Sequence, residues 1–145
     1  MTKKILFKTS VVLIFSFLLA CNKSENIQNV QLKQISSKEL KEKIAKQEEE
    51  FTLIDLRSEE KFHKEKIEGA VNIPVDSLES KISDEAFWQN EYMYPPEDSS
   101  QIIVYGANEQ AGVKAAQLLH KMGYKNVLYL KGGYDKYNIK RDKLM

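Results

Sequence analysis

Apolar positions along this chain alternate between short continuous runs and spaced stripes. Val30–Ile35 alternates weakly, as a short strand would. Ser36-Ser37-Lys38-Glu39 has the form of a capping box, and Leu40 and Ile44 supply the apolar stripe of the helix it opens. That helix exits through the charged run Gln47–Glu50. Phe51–Arg57 is nearly continuous in apolar character, which predicts a central strand of a parallel sheet. Val71–Ile73 predicts a shorter strand ended by Pro74, and Val75, Leu78 and Ile82 are spaced as in a short helix over 76–82. Ile102–Tyr105 reads as a buried strand, Gly106–Ala111 as a tight polar loop, and Val113, Ala116, Leu118 and Leu119 predict a helix from about Ala111. Met122-Gly123-Tyr124 is a glycine C-cap, Asn126–Leu130 is another buried strand, and Gly132-Gly133 turns the chain into a last helix. Strands alternating with helices over 30–140 predict an α/β fold: a three-layer sandwich whose mostly parallel central sheet is covered by helices on both faces.

The first twenty residues follow a different logic. Lys3, Lys4 and Lys8 precede an apolar core, Val11–Ala20, that is too short to span a bilayer comfortably. Leu18-Leu19-Ala20-Cys21 resembles the lipobox of bacterial lipoproteins, which implies a signal peptide over 1–20 and an acylated Cys21 as the mature N-terminus. The expected organisation is therefore a leader at 1–20, a lipidated N-terminus and polar tether at 21–31, and one domain at 32–145. The expected location is the bacterial cell envelope, held to a membrane by acyl chains. Asn22 in place of an inner-membrane-retaining aspartate leans towards the outer membrane.

Charge changes little in this picture. Without Lys3, Lys4 and Lys8 the balance is 19 basic against 21 acidic side chains, so no nucleic-acid partner is expected. Cys21 is the one cysteine, which rules out an intrachain disulfide. His63 and His120 lie far apart with no ligand spacing to other donors, so neither a metal nor another cofactor is expected.

Chemistry concentrates after the Ile102–Tyr105 strand. A strand, a short loop and a helix N-terminus make a nest of backbone N–H groups, with the positive end of a helix dipole behind it. Such a nest suits an anion or a thiol of lowered pKa.

Here the chain resembles the rhodanese-like (sulfurtransferase) domain family. Three stretches carry the resemblance: Asp55-Leu-Arg57 with Phe62 and Ile67-Glu-Gly-Ala-Val-Asn-Ile-Pro74, the strand–loop–helix at 102–119, and Lys131-Gly-Gly-Tyr-Asp-Lys-Tyr137. Lys61 stands at a usually acidic position, Glu65-Lys66 replaces the family's Gly-His, and Tyr137 takes a tryptophan position. The resemblance implies a six-residue cradle, here Gly106, Ala107, Asn108, Glu109, Gln110 and Ala111, that opens with a catalytic cysteine and often closes with an arginine. The cysteine position is Gly106, the family's glycine position is Glu109, and the arginine position is Ala111. Without a thiolate no persulfide can form, and Glu109 would weaken attraction for thiosulfate or phosphate. No catalytic residue is therefore assigned. The expectation is a non-catalytic domain at the envelope that binds a protein or a small anionic ligand. The alternative is a sulfurtransferase or thiol relay that works with a partner's cysteine.

Two further features stay open at this level. Asp55 and Arg57 read either as a structural charge pair or as ligand contacts. Phe87, Trp88, Tyr92 and Tyr94, in a stretch ending at Pro95-Pro96, either pack over the sheet edge or form a surface for a protein partner.

Overall fold

The computed structural model describes residues 31–47 and 50–142. The leader, Cys21, most of the tether and part of the Gln47–Glu50 run lie outside the described residues.

Five strands form one sheet: β1 (Lys33–Ile35), β2 (Thr52–Asp55), β3 (Ala70–Asn72), β4 (Gln101–Tyr105) and β5 (Asn126–Leu130), in the order β1-β5-β4-β2-β3. Every neighbouring pair is parallel. Among the described residues six helices connect or follow them: α1 (Ser37–Lys46), α2 (Glu59–Lys64), α3 (Leu78–Lys81), α4 (Glu85–Asn90), α5 (Glu109–Lys121) and α6 (Gly133–Asp142). The stripe at 76–82 forms a 3₁₀ turn (Val75–Ser77) running into α3, rather than one helix. The Phe51–Arg57 run contributes Thr52–Asp55 to the sheet; the Leu56 N–H still donates to Tyr105 O at 2.8 Å, and the chain turns away at Arg57, whose N–H is taken by Asp55 Oδ1.

Side-chain alternation along the strands builds two cores. Ile54, Ile102, Val104 and Val127 point to one face, where Leu78, Trp88, Ala115, Ala116 and Leu119 of α3, α4 and α5 cover them. Leu53, Ile103, Tyr105 and Leu130 point to the other, under Leu40 of α1 and Tyr134 of α6. The central β4 is buried on both faces, which is why its sequence is apolar at consecutive positions rather than alternate ones.

Local signals hold the helix ends. Ser36 Oγ accepts from the Glu39 N–H at 3.2 Å while Glu39 Oε2 accepts from the Ser36 N–H at 2.8 Å, the capping box read from sequence. The hydrogen bond from Ser36 holds the Glu39 carboxyl below its ordinary pKa. At the far end of α5 the Tyr124 N–H reaches Leu119 O and the Gly123 N–H reaches His120 O, a Schellman closure around Gly123.

Candidate functional site

In an open parallel sheet the ligand crevice lies beyond the carboxyl ends of two neighbouring strands whose connections leave in opposite directions. Here those strands are β2, which leads outward to β3, and β4, which leads the other way to β5. Gly106 follows β4 directly, and Leu56-Arg57 follow β2.

The loop after β4 is shorter than the apolar spacing predicts. α5 begins at Glu109, with Asn108 as its N-cap: Asn108 Oδ1 accepts from the Ala111 N–H at 3.2 Å. The expected start at Ala111 was late because the first turn, Glu109-Gln110, carries no apolar residue to mark it. Asn108 thus takes up one of the N–H groups that the nest would have turned to a ligand.

The cradle has closed around the absent side chain. Gly106 is buried, and a Cβ built on it would lie closer than 3.0 Å to Ala111 Cβ. The Gly106 and Ala107 carbonyls accept from the Tyr134 and Asp135 N–H groups at 2.9 and 3.0 Å, so they satisfy donors at the N-terminus of α6. Gly133 sits at φ +64°, and a Cβ there would come within 2.7 Å of Ala107 O and Asn108 Cα; only glycine lets α6 come this close.

Glu109 does not point into an anion site as the sequence suggested. Its Oε2 accepts from the Gly132 N–H at 2.9 Å, bracing the β5–α6 turn against α5. The carboxylate answers a donor within the fold.

The β2 side of the crevice is filled by a buried ion pair. Arg57 is 8% exposed and Asp55 is fully buried. Arg57 Nη2 reaches Asp55 Oδ2 at 2.7 Å, Nε reaches Oδ1 at 3.0 Å, and the Arg57 backbone N–H donates to Oδ1 at 2.9 Å. A further bond runs from Nη2 to Glu65 O at 2.6 Å. Tyr134 lies against the guanidinium, 3.6 Å from ring centre to Cζ, and the rings of Tyr105 and Tyr137 lie near-parallel to it, 6.1 and 6.5 Å from its centre. Tyr134 OH and Asn138 Nδ2 both donate to Glu65 Oε2, at 3.2 and 3.1 Å. Burial works against the Arg57 charge, but the hydrogen bond and charge of Asp55 outweigh it and raise its pKa above the ordinary value. Burial, reinforced by the Asp55 charge, pushes the Tyr105 phenol far above its ordinary range. It remains a neutral hydroxyl and accepts from the Ile67 N–H at 3.2 Å.

Of the two readings of Asp55 and Arg57, the geometry is that of the structural pair. Sequence reasoning missed Tyr134, Tyr105 and Glu65 as parts of this cluster. The signal was present: Glu65 stands where the family pattern has glycine, and its carboxylate meets Tyr134, which follows the glycine pair.

The aromatic stretch divides in two. Phe87 and Trp88 belong to α4, and Trp88 is fully buried with its indole N–H donating to Ile82 O at 2.9 Å. The reading of Trp88 as partner surface is corrected: its area is spent in the core beneath α3 and α5, and Phe87 is packed edge-on against it. Tyr92 and Tyr94 are 98% and 89% exposed. Beside them a wide groove of about 1080 Å³ runs along the amino ends of the strands, lined by Phe51, Thr52, Tyr94, Pro95, Gln101 and Asn126 among others. His63 is exposed and His120 half-buried, and among the described residues no group of three or more His, Cys, Asp or Glu could hold a metal ion.

The parallel sheet, its helical layers and a helix-capped loop beyond the central strand define an α/β domain of the sulfurtransferase architecture. The family model for the rhodanese-like domain matches residues 36–140, and the chain belongs to that family. Among relatives, a putative mitochondrial thiosulfate sulfurtransferase of Schizosaccharomyces pombe is 34% identical over 77 residues, covering 52% of this chain. The match takes in 54% of that protein, so this chain spans about half the length of the curated relative. Among solved structures, a human single-domain sulfurtransferase is 29% identical with a TM-score of 0.66, covering 74% of this chain and 96% of that one. A rhodanese-like domain from Anabaena is 27% identical with a TM-score of 0.59, over 74% of each chain.

Proposed function

We propose that this rhodanese-like domain is non-catalytic and serves at the bacterial cell envelope as a binding module for a protein, tethered through lipid on Cys21. The observation that carries the reading is Gly106. It offers no nucleophile where the family resemblance places a thiolate, and Ala111 Cβ occupies the space that a side chain would need. Asn108 Oδ1 takes the Ala111 N–H, one of the donors that a small anion in the cradle would need. The lipid anchor rests on the leader and Cys21 in sequence. Among the described residues no helix is long and apolar enough to cross a membrane.

Sulfur transfer from thiosulfate to cyanide by the purified full-length chain tests the catalytic half of this reading. A single-domain sulfurtransferase with its cysteine serves as positive control. Thiocyanate formation no faster than in the protein-free reaction is expected. Turnover comparable to the control would overturn the non-catalytic assignment and favour the alternative enzyme.

A further inference from the structure

The two ends of a parallel sheet are chemically distinct surfaces, and this chain loads them differently. The cradle lies beyond the carboxyl end of β4. The loop 91–100 leads into the amino end of the same strand, and Tyr94, Pro95 and Pro96 line the groove shared with Thr52, Gln101 and Asn126, the first residues of β2, β4 and β5. β1 starts at Lys33 and runs parallel to β5, so the chain enters the domain at this amino end too, through Leu32, which packs on the core.

The loop is held outward by a firm base. α4 ends in a Schellman pattern, with the Met93 N–H on Trp88 O at 2.9 Å and the Tyr92 N–H on Gln89 O at 3.0 Å. The residue at the left-handed position, where glycine is free of strain, is Tyr92 at φ +58°. Its ring gains nothing from the fold, since it is almost wholly exposed, as is that of Tyr94. Two outward phenols with Met93 between them, on a base anchored by the buried Trp88, suit a layer that is apolar below and wet above.

We propose that Tyr92, Met93 and Tyr94 contact the headgroup zone of the bilayer that carries this chain, turning the amino end of the sheet to the membrane and the cradle away from it. The inference rests on the lipid anchor at Cys21. Ten residues, Asn22–Gln31, separate that cysteine from Leu32 and span at most about 35 Å however they are arranged. That is about one domain diameter for a chain of this size. The anchor therefore keeps the domain near the bilayer without orienting it, and the loop supplies the orientation. Glu91, Glu97 and Asp98 are exposed around the tyrosines and repel an anionic surface. The contact is thus to zwitterionic lipid, shallow and insensitive to salt.

The test uses the full-length lipoprotein in phosphatidylethanolamine–phosphatidylcholine vesicles. Acylation of Cys21 is read separately by mass of the N-terminal peptide. With that thiol consumed, Met93→Cys and Gln110→Cys each offer one site for an environment-sensitive fluorophore, at opposite ends of the sheet. Brominated lipid is expected to quench the probe at 93 several-fold more than the probe at 110, and Tyr92→Ser with Tyr94→Ser is expected to abolish the difference. Acylated protein with equal quenching at both sites, or with 110 quenched more, overturns the loop contact and leaves the tyrosines to a protein partner. A chain without lipid on Cys21 overturns the anchor and the orientation together.

Discussion

The carboxyl and amino ends of the sheet in this protein carry opposite solutions to the same problem, how to finish the ends of five parallel strands. At the carboxyl end, polar groups are turned inward and used up. Asp55 holds Arg57, Tyr134 lies beneath Arg57, Glu109 braces Gly132, and α6 is seated on the carbonyls of Gly106 and Ala107. At the amino end, a wide groove is left open and two tyrosines stand in solvent. Rhodanese-like architecture places its chemistry at the carboxyl end. In this chain the polar groups at that end partner one another within the fold, while the other end keeps open surface. A retained fold therefore says where a site once could be, while the local packing says whether it is still open.

The contrast can be broken most severely at Asp55. Asp55→Ala leaves the buried Arg57 guanidinium without its carboxylate, and the expected loss is about 3–5 kcal/mol of folding stability. Urea unfolding of the purified protein reads it, and a loss below about 1 kcal/mol would mean that Glu65 O and Tyr134 alone can hold the arginine.

Gly106→Cys is the next largest. The added side chain must displace Ala111, and overpacking of this kind costs about 1–3 kcal/mol. Ala111→Gly in the same chain should recover part of that loss in the same unfolding assay. A neutral or stabilising Gly106→Cys would show that the cradle is open after all.

Alkaline titration separates the ends more gently. The folded-state pKa of Tyr105 is raised well above its ordinary value of 10.0, mainly by burial, so the unfolded chain releases this proton first. The stability contributed by the neutral phenol is complete below pH 10.0 and is lost as pH climbs from there towards the folded value. The expected slope from this one group is about 1.4 kcal/mol per pH unit. Thermal melts of wild type and Tyr105→Phe above that pH check it, the variant showing the shallower decline.

The smallest effect belongs to the amino end. Tyr92→Ser and Tyr94→Ser should each change stability by no more than about 0.5 kcal/mol, because neither ring is buried by the domain. A larger loss in the same melts would show that the loop packs on the fold instead of projecting from it.

Much of the architecture was legible in the residues. The apolar runs at 51–57, 102–105 and 126–130 each hold a strand, the first only over 52–55, the Ser36–Glu39 box caps α1, and Gly123 closes α5, because each depends on contacts within a few residues or on burial that alternation and composition record directly. Family membership was legible as well. What tertiary structure alone decided is the use of the polar side chains. Glu109 reads as a charge facing a ligand until Gly132, 23 positions later, is brought to its carboxylate. Asp55 and Arg57 stay ambiguous until Tyr134 and Glu65 close over them. Trp88 and Tyr94, six residues apart in one aromatic stretch, part company only when α4 turns one ring into the core and the chain beyond its cap carries the other out. The physical reason is common to all three: hydrophobic pattern is a local record of burial, whereas the partner of a charge or the fate of a lone aromatic is set by which distant segment folds against it.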